Sequence, residues 1–189
     1  MSINLIISGG GTGGHIYPAI SIANQLTKKI NNCDILFVGA KSKMEMIKVP
    51  ENGYKIIGLW ISGFKRSLNI SSNLLLPIKI LISLIHSLFI IIRHKPKLVI
   101  GTGGYAIGPV MYISALMNIP LFIQEQNSYP GLTNRILSKY AKKIFVAYDG
   151  MEKYFKESEI ILSGNPIRKS IKNINSKNKN EFLDSINFN

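Results

Sequence analysis

Cysteine is nearly absent. Cys33 is the one thiol in 189 residues, which excludes an internal disulfide and fits a reducing compartment. Negative charge is scarce as well: ten Asp and Glu stand against 23 Lys and Arg, a formal net charge of +13. Arginine contributes only Arg66, Arg93, Arg135 and Arg168 to that excess, so lysine dominates it. Two readings compete, a compositional bias that writes Lys, Asn and Ile wherever they are tolerated, and affinity for an anionic surface. Basic residues are not interleaved with aromatics in the RNA-binding manner, which argues against nucleic acid and leaves a membrane surface. No basic residue precedes the opening apolar run, and that run is only a strand long, so it is expected to be a strand and not a signal peptide. The length suits one α/β domain with a real core and is too short for two.

Glycine, by contrast, is abundant and clustered. Ser8-Gly9-Gly10-Gly11-Thr12-Gly13-Gly14-His15 follows the apolar run Ile3–Ile7 and precedes a helical pattern expected to begin near Pro18. A strand that stops at glycines and restarts as a helix sets bare backbone N–H groups at a helix N-terminus, a site for an anion and most often a phosphate. A second such stretch, Gly101-Thr102-Gly103-Gly104-Tyr105-Ala106-Ile107-Gly108-Pro109, follows Leu98-Val99-Ile100. Two such loops in one small domain suggest a cleft for a phosphorylated or pyrophosphorylated ligand.

The remaining pattern predicts a doubly wound parallel sheet, α/β and Rossmann-like. Strands are expected at 3–8, 34–38, 55–59, 98–100, 120–123, 143–147 and 160–162. Helices are expected from Pro18 to about Lys29, over 43–48 with Pro50 beyond, and over 109–117, 131–141 and 151–156. Trp60 to Asn73 has no steady period and reads as a loop. Leu74 to Ile92 is almost unbroken Leu, Ile and Phe, long enough to span a membrane, yet Lys79, Ser83, His86 and Ser87 form one narrow polar stripe on a helix. The expectation is a helix packed partly on the sheet and partly against lipid, not a span, because the α/β pattern resumes at once. From Lys169 onward the chain is Lys, Asn and Ser with few apolar residues, a tail or linker.

Gly9-x-Gly11-x-x-Gly14 satisfies the dinucleotide fingerprint literally. However, the acidic ribose ligand expected after the second strand is replaced by Gly39-Ala40-Lys41-Ser42-Lys43, which suits at best a 2′-phosphate, so an NAD(P)-binding module is a remote alternative. The larger combination is more specific. Gly-Gly-Thr-Gly-Gly-His-Ile-Tyr-Pro-Ala at 10–19, Ile-Ser-Gly-Phe-Lys at 61–65, the second glycine loop at 101–109, Glu-Gln-Asn-Ser-Tyr-Pro-Gly-Leu-Thr-Asn at 125–134 and Gly-Asn-Pro-Ile-Arg at 164–168 closely resemble the MurG family. These peptidoglycan transferases add N-acetylglucosamine to lipid-linked N-acetylmuramyl-pentapeptide. The resemblance covers roughly residues 3–170.

It implies the amino-terminal domain of a two-domain GT-B glycosyltransferase, at 1–164, with a hinge motif and polar tail at 165–189 and no donor domain. The implied reaction is inverting transfer from UDP-N-acetylglucosamine to lipid I, the undecaprenyl-pyrophosphoryl-MurNAc-pentapeptide, without metal or cofactor. By resemblance, Thr12, Gly13, Gly14, Asn127 and Arg168 meet the donor, and Gly103, Gly104 and Tyr105 meet the acceptor pyrophosphate. His15 and Glu125 are the only ionisable candidates for catalysis on the sheet's carboxyl edge, though His15 as a loop fastener and Glu125 as an acceptor for loop N–H groups remain open. Leu74, Ile78, Lys79 and Leu81, with Lys139, Lys142 and Lys143 nearby, correspond to the family's patch for the anionic cytoplasmic face of the inner membrane, implying a peripheral location. Two readings of the chain stand against each other, a piece of a working transferase whose donor half is a second polypeptide and a non-catalytic acceptor- or membrane-binding remnant; no nucleic-acid partner is expected.

Overall fold

The computed structural model describes residues 2–64, 73–155 and 158–167. Seven strands form one wholly parallel sheet in the order β3-β2-β1-β4-β5-β6-β7. They are β1 (Ile3–Ser8), β2 (Cys33–Ala40), β3 (Lys55–Leu59), β4 (Leu98–Gly101), β5 (Leu121–Glu125), β6 (Lys143–Val146) and β7 (Ile160–Leu162). Five helices connect them: α1 (Gly13–Lys29), α2 (Glu45–Glu51), α3 (Leu76–His94), α4 (Ile107–Leu116) and α5 (Leu132–Leu137). The order reverses direction between β1 and β4. That switch point opens the crevice at the carboxyl ends of the strands where such sheets bind ligands.

Two apolar layers hold the sheet. Ile6, Val38, Val99, Ile123, Ile144 and Val146 pack with Ile90 and Ile91 of α3, Val110 and Met111 of α4 and Leu137 of α5. On the other side Leu5, Ile7, Ile35 and Phe37 pack with Ile16, Ala19, Ile20 and Ala23 of α1 and Val49 of α2. The first layer runs across the sheet, whereas the second stops near β4. Leu98, Ile100, Phe122 and Phe145 therefore floor a groove of about 350 Å³ with Ile22, Leu26 and Ile30 of α1 on one wall and Pro166 on the other. A parallel sheet needs cover on both faces. Here part of one face has none among the described residues.

Several boundaries differ from the sequence expectation. Helix α1 starts at Gly13 and carries Pro18 as its sixth residue. Pro18 lies past the first turn, so its missing N–H leaves the Gly14 carbonyl without an intrahelical donor, at the exposed start of the helix. Pro50 likewise lies inside α2 and not beyond it. The helix expected over 131–141 divides into α5 and a 3₁₀ turn at Ser138–Tyr140, and that over 151–156 shrinks to a 3₁₀ turn at Met151–Lys153, with Lys156 outside the described residues. The loop after β3 is irregular through Phe64, and Lys65 and Arg66 lie outside the described residues.

Helix α3 is apolar and long enough to cross a membrane, with 19 residues and a hydropathy of 1.9. It nonetheless crosses over from β3 to β4 within one sheet and puts Ile90 and Ile91 into the core. Its amphipathicity is inverted. Ser83 and Ser87 of the polar stripe are fully buried, Ser83 Oγ donates to Trp60 O at 3.1 Å, and Lys79 Nζ donates to Ser62 Oγ at 3.2 Å while lying 5.7 Å from the Trp60 ring centre. Leu74, just before the helix, and Ile78, Leu81, Ile85 and Phe89 on it face outward, 50–72% exposed.

Candidate active site

The two glycine loops meet backbone to backbone at the switch point. Gly10 N donates to Gly103 O at 3.3 Å and Thr102 N to Ser8 O at 2.9 Å. Gly103 and Gly104 both have positive φ, +106° and +84°, and the space a side chain would need is already filled. A Cβ at Gly103 would lie 2.6 Å from His15 Nδ1, and one at Gly104 would lie 2.2 Å from Gly10 O. Those two glycines are therefore required by packing between the loops. Ala106 and Ile107, where α4 begins, are fully buried.

The first loop is open. Thr12 is the extended N-cap of α1 and makes no side-chain cap, and Thr12 and Gly14 are exposed. The unpaired N–H groups of the first helical turn, with the helix dipole behind them, face solvent at the crevice. A buried carboxylate braces this loop from behind. Glu45 of α2 accepts from Gly11 N at 3.2 and 3.3 Å and from Ala40 N at 2.9 Å, with no exposed surface. A Cβ at Gly10 would strike its Oε1 at 2.2 Å. The sequence reading missed Glu45, because one Glu on a seven-residue helix bears no mark of facing inward. Tyr105, half-buried, lies against Gly11 and Gly63; burial, and then the Glu45 carboxylate, hold its phenol above the ordinary range.

His15 sits where the loops join. Its Nδ1 is 3.0 Å from Thr102 O and 3.0 Å from Gln126 Oε1, and Nε2 has no protein partner among the described residues. Glu125, the other catalytic candidate, is fully enclosed. Its Oε1 accepts from Asn127 N (3.0 Å) and Asn127 Nδ2 (3.1 Å), and its Oε2 accepts from Gly131 N (3.2 Å) and Asn134 Nδ2 (2.8 Å). Four donors occupy both oxygens, so the geometry gives Glu125 the work of fastening the loop between β5 and α5. Asn127 is exposed on that loop, its Nδ2 spent on Glu125 and its Oδ1 without a protein partner among the described residues. Arg168 lies outside the described residues.

Beside Tyr105, the outward face of the second loop continues into an apolar groove of about 400 Å³ between α3, α4 and α5, lined in part by Ile61, Leu76, Ile80, Pro109, Tyr112 and Ile136. Of the basic residues expected near it, Lys143 is taken by Glu159 at 2.8 Å and Lys139 lies 4.9 Å from the Tyr140 ring centre, while Lys142 is exposed. No cluster of metal-ligating side chains occurs among the described residues.

Comparison with known proteins gives the same picture over most of the chain. A Flavobacterium psychrophilum protein named UDP-N-acetylglucosamine–N-acetylmuramyl-(pentapeptide) pyrophosphoryl-undecaprenol N-acetylglucosamine transferase is 52% identical over 179 residues, 95% of this chain and 48% of the relative. Its namesake from Amoebophilus asiaticus is 55% identical over 167 residues, 88% of this chain and 46% of the relative. The chain thus spans about half the length of the curated relatives it matches. The crystal structure of Acinetobacter baumannii MurG superposes with a TM-score of 0.71 at 28% identity, covering 88% of this chain and 47% of that one. A Methanocaldococcus jannaschii UDP-GlcNAc 2-epimerase shares the fold, with a TM-score of 0.65 at 15% identity over 98% of this chain and 54% of its own. Residues 5–146 match the glycosyltransferase family 28 N-terminal domain, and the chain belongs to that family.

Proposed function

We propose that this chain is the acceptor-side half of an N-acetylglucosaminyltransferase that makes lipid II from lipid I and UDP-N-acetylglucosamine. The observation that carries this reading is the crevice itself: an open helix N-terminus at Thr12-Gly13-Gly14 beside an imidazole whose Nε2 has no protein partner among the described residues. Identity of 52% over 95% of the chain to a transferase of that name supplies the substrate class. In the reaction the acceptor sugar's hydroxyl oxygen attacks the anomeric carbon, the bond from that carbon to the UDP oxygen breaks with inversion, and the hydroxyl proton passes to a base. His15 Nε2 takes the proton. The N–H groups at Gly13 and Gly14 stabilise charge on the departing diphosphate. Asn127 Oδ1, and Arg168 from the hinge, are assigned to the donor. Gly103 and Gly104 shape the acceptor wall, and Tyr105 lines it.

The domain is taken to end near Gly164, with the donor half supplied by a further stretch of polypeptide, whether continuous with this chain or separate. The uncovered sheet face beside Asn165 and Pro166 supports that reading, because it is apolar surface a partner would bury. The outward apolar face of α3, including Leu74, Ile78 and Leu81 with Lys79 at its flank, is assigned to the inner membrane's cytoplasmic surface. The adjoining groove leads from there to Tyr105.

The test is transfer of labelled N-acetylglucosamine from UDP to a lipid I analogue by the full chain, alone and mixed with the carboxy-terminal half of the Flavobacterium psychrophilum relative. Transfer in the mixture, abolished by His15→Gln, is the expected result. Lipid I binding without transfer in either tube would leave an acceptor-binding remnant and overturn the enzymatic reading.

A further inference from the structure

We propose that Gln126 is a positioning residue that fixes the tautomer of His15, keeping the proton on Nδ1 and the lone pair on Nε2. The two atoms that face Nδ1 are both acceptors: Thr102 O at 3.0 Å and Gln126 Oε1 at 3.0 Å. A carbonyl oxygen cannot donate, so Nδ1 carries the hydrogen and Nε2 is left bare.

The orientation of the Gln126 amide follows by the same logic. Its Nε2 donates to Thr102 O at 2.8 Å and to Gln124 O at 3.0 Å, and also meets Gln124 Oε1. Reversing the amide would set its oxygen against those acceptors and its NH₂ against the ring N–H. Gln126 thus acts twice, accepting from His15 directly and steering the Thr102 carbonyl that shares the same proton. It is 8% exposed and has its own support from the start of the hinge motif. Asn165 Nδ2 donates to Gln126 O at 3.2 Å, and Gln124 Nε2 donates to Asn165 Oδ1 at 3.2 Å. Gly103, too close for any Cβ, packs against the same edge of the ring.

A neutral amide in this place differs from the carboxylate that orients a histidine in a hydrolase triad. It selects the tautomer without placing a charge beside the ring. The charged and titratable groups on the elements around His15 are engaged elsewhere: Glu45 of α2 with Gly11 N and Ala40 N, Glu125 of β5 with Asn127, Gly131 and Asn134. The Tyr105 phenol lies against Gly11 and Gly63. The catalytic meaning of the tautomer rests on the reading of His15 as the base; the tautomer itself does not.

The chain has three histidines, His15, His86 and His94, so long-range ¹⁵N–¹H correlation spectra of the histidine-labelled full chain resolve each ring. At a pH about two units above the ordinary imidazole range, His15 is expected in the Nδ1–H form. Gln126→Leu removes the acceptor and releases Thr102 O, and an Nε2–H signal or an averaged pair is expected in a chain whose amide dispersion stays native. Gln126→Glu keeps an oxygen toward Nδ1 while setting its second oxygen against Thr102 O and Gln124 O, so the Nδ1–H signal is expected to persist in a chain of lower stability. An Nε2–H form in the wild type overturns the proposal, as does an unchanged His15 spectrum in folded Gln126→Leu. If neither variant folds, the wild-type spectrum still decides. Wild-type transfer by His15→Gln in the complemented assay would defeat the base reading and leave the tautomer assignment standing, so the two failures are distinguishable.

Discussion

Replacing Glu125 with Gln separates a structural carboxylate from a catalytic one. Each Glu125 oxygen accepts two hydrogen bonds, Oε1 from Asn127 and Oε2 from Gly131 and Asn134, and the side chain has no exposed surface. An amide can keep only one of those oxygens. Whichever is lost, an NH₂ group then faces two donors in a side-chain site with no exposed surface. Hydrogen bonds to a charged acceptor contribute about 1.5–3 kcal/mol each, so two of them place the loss at about 3–6 kcal/mol. That is a large share of the roughly 5–15 kcal/mol typical of a domain. Urea unfolding followed by circular dichroism reads it directly, because at an m-value of about 2 kcal/mol/M the midpoint falls by about 1.5–3 M. A general base at this position predicts the opposite pair of results, stability within about 0.5 kcal/mol of wild type and loss of transfer. That outcome would refute the assignment of Glu125 to the loop.

Three further outcomes follow from single observations. Gly104→Ala brings a Cβ to 2.2 Å from Gly10 O at φ +84° and should cost about 2–4 kcal/mol by thermal melting, whereas Gly53→Ala, at φ +83° with nothing within 4 Å, should cost only the strain of about 1 kcal/mol; equal losses would mean the loop contact carries no energy. Leu81 and Ile85 are 60% and 50% exposed on the outer face of α3, so changing both to Glu removes about 1 kcal/mol of apolar transfer each and should lower cosedimentation with anionic vesicles at least tenfold; unchanged sedimentation would exclude this face from the membrane. Burial, then the Glu45 carboxylate, raise the Tyr105 phenol above its reference of 10.0, so the folded state holds that proton more tightly than the unfolded one. The resulting stability is complete below pH 10 and is lost as pH rises through the folded value, and Tyr105→Phe should flatten that alkaline decline.

The sheet was legible because its strands are apolar on both faces and end at glycine or polar residues; β3 and β7 fall where the pattern puts them. Helix direction was harder to read. A narrow polar stripe on α3 says that one side differs from the rest, but whether the protein or the outside takes the polar side depends on where Trp60 and Ser62 present their acceptors. Pro18 and Pro50 misplaced two helix ends because proline marks a boundary only where a free carbonyl cannot be tolerated. Glu45 and Gln126 gave no signal at all. Their roles come from contacts 34 and 111 residues apart in sequence, to Gly11 and His15, and spacing along one segment cannot express them.

The unequal fates of the two glycine loops bear on where charge is held during transfer. By composition they are near twins, each a strand followed by glycines and a helix. In the fold the positive φ of Gly103 and Gly104 is used to let His15 and the Gly10 carbonyl approach. The start of α1, uncapped by any side chain at Thr12, turns its dipole toward solvent at the crevice. Donors that no protein acceptor neutralises are the ones able to respond to charge that develops later, whereas donors already spent on packing are not. On the proposed reading the leaving diphosphate is assigned to the first loop, and the second serves as the rigid surface that holds His15 beside it.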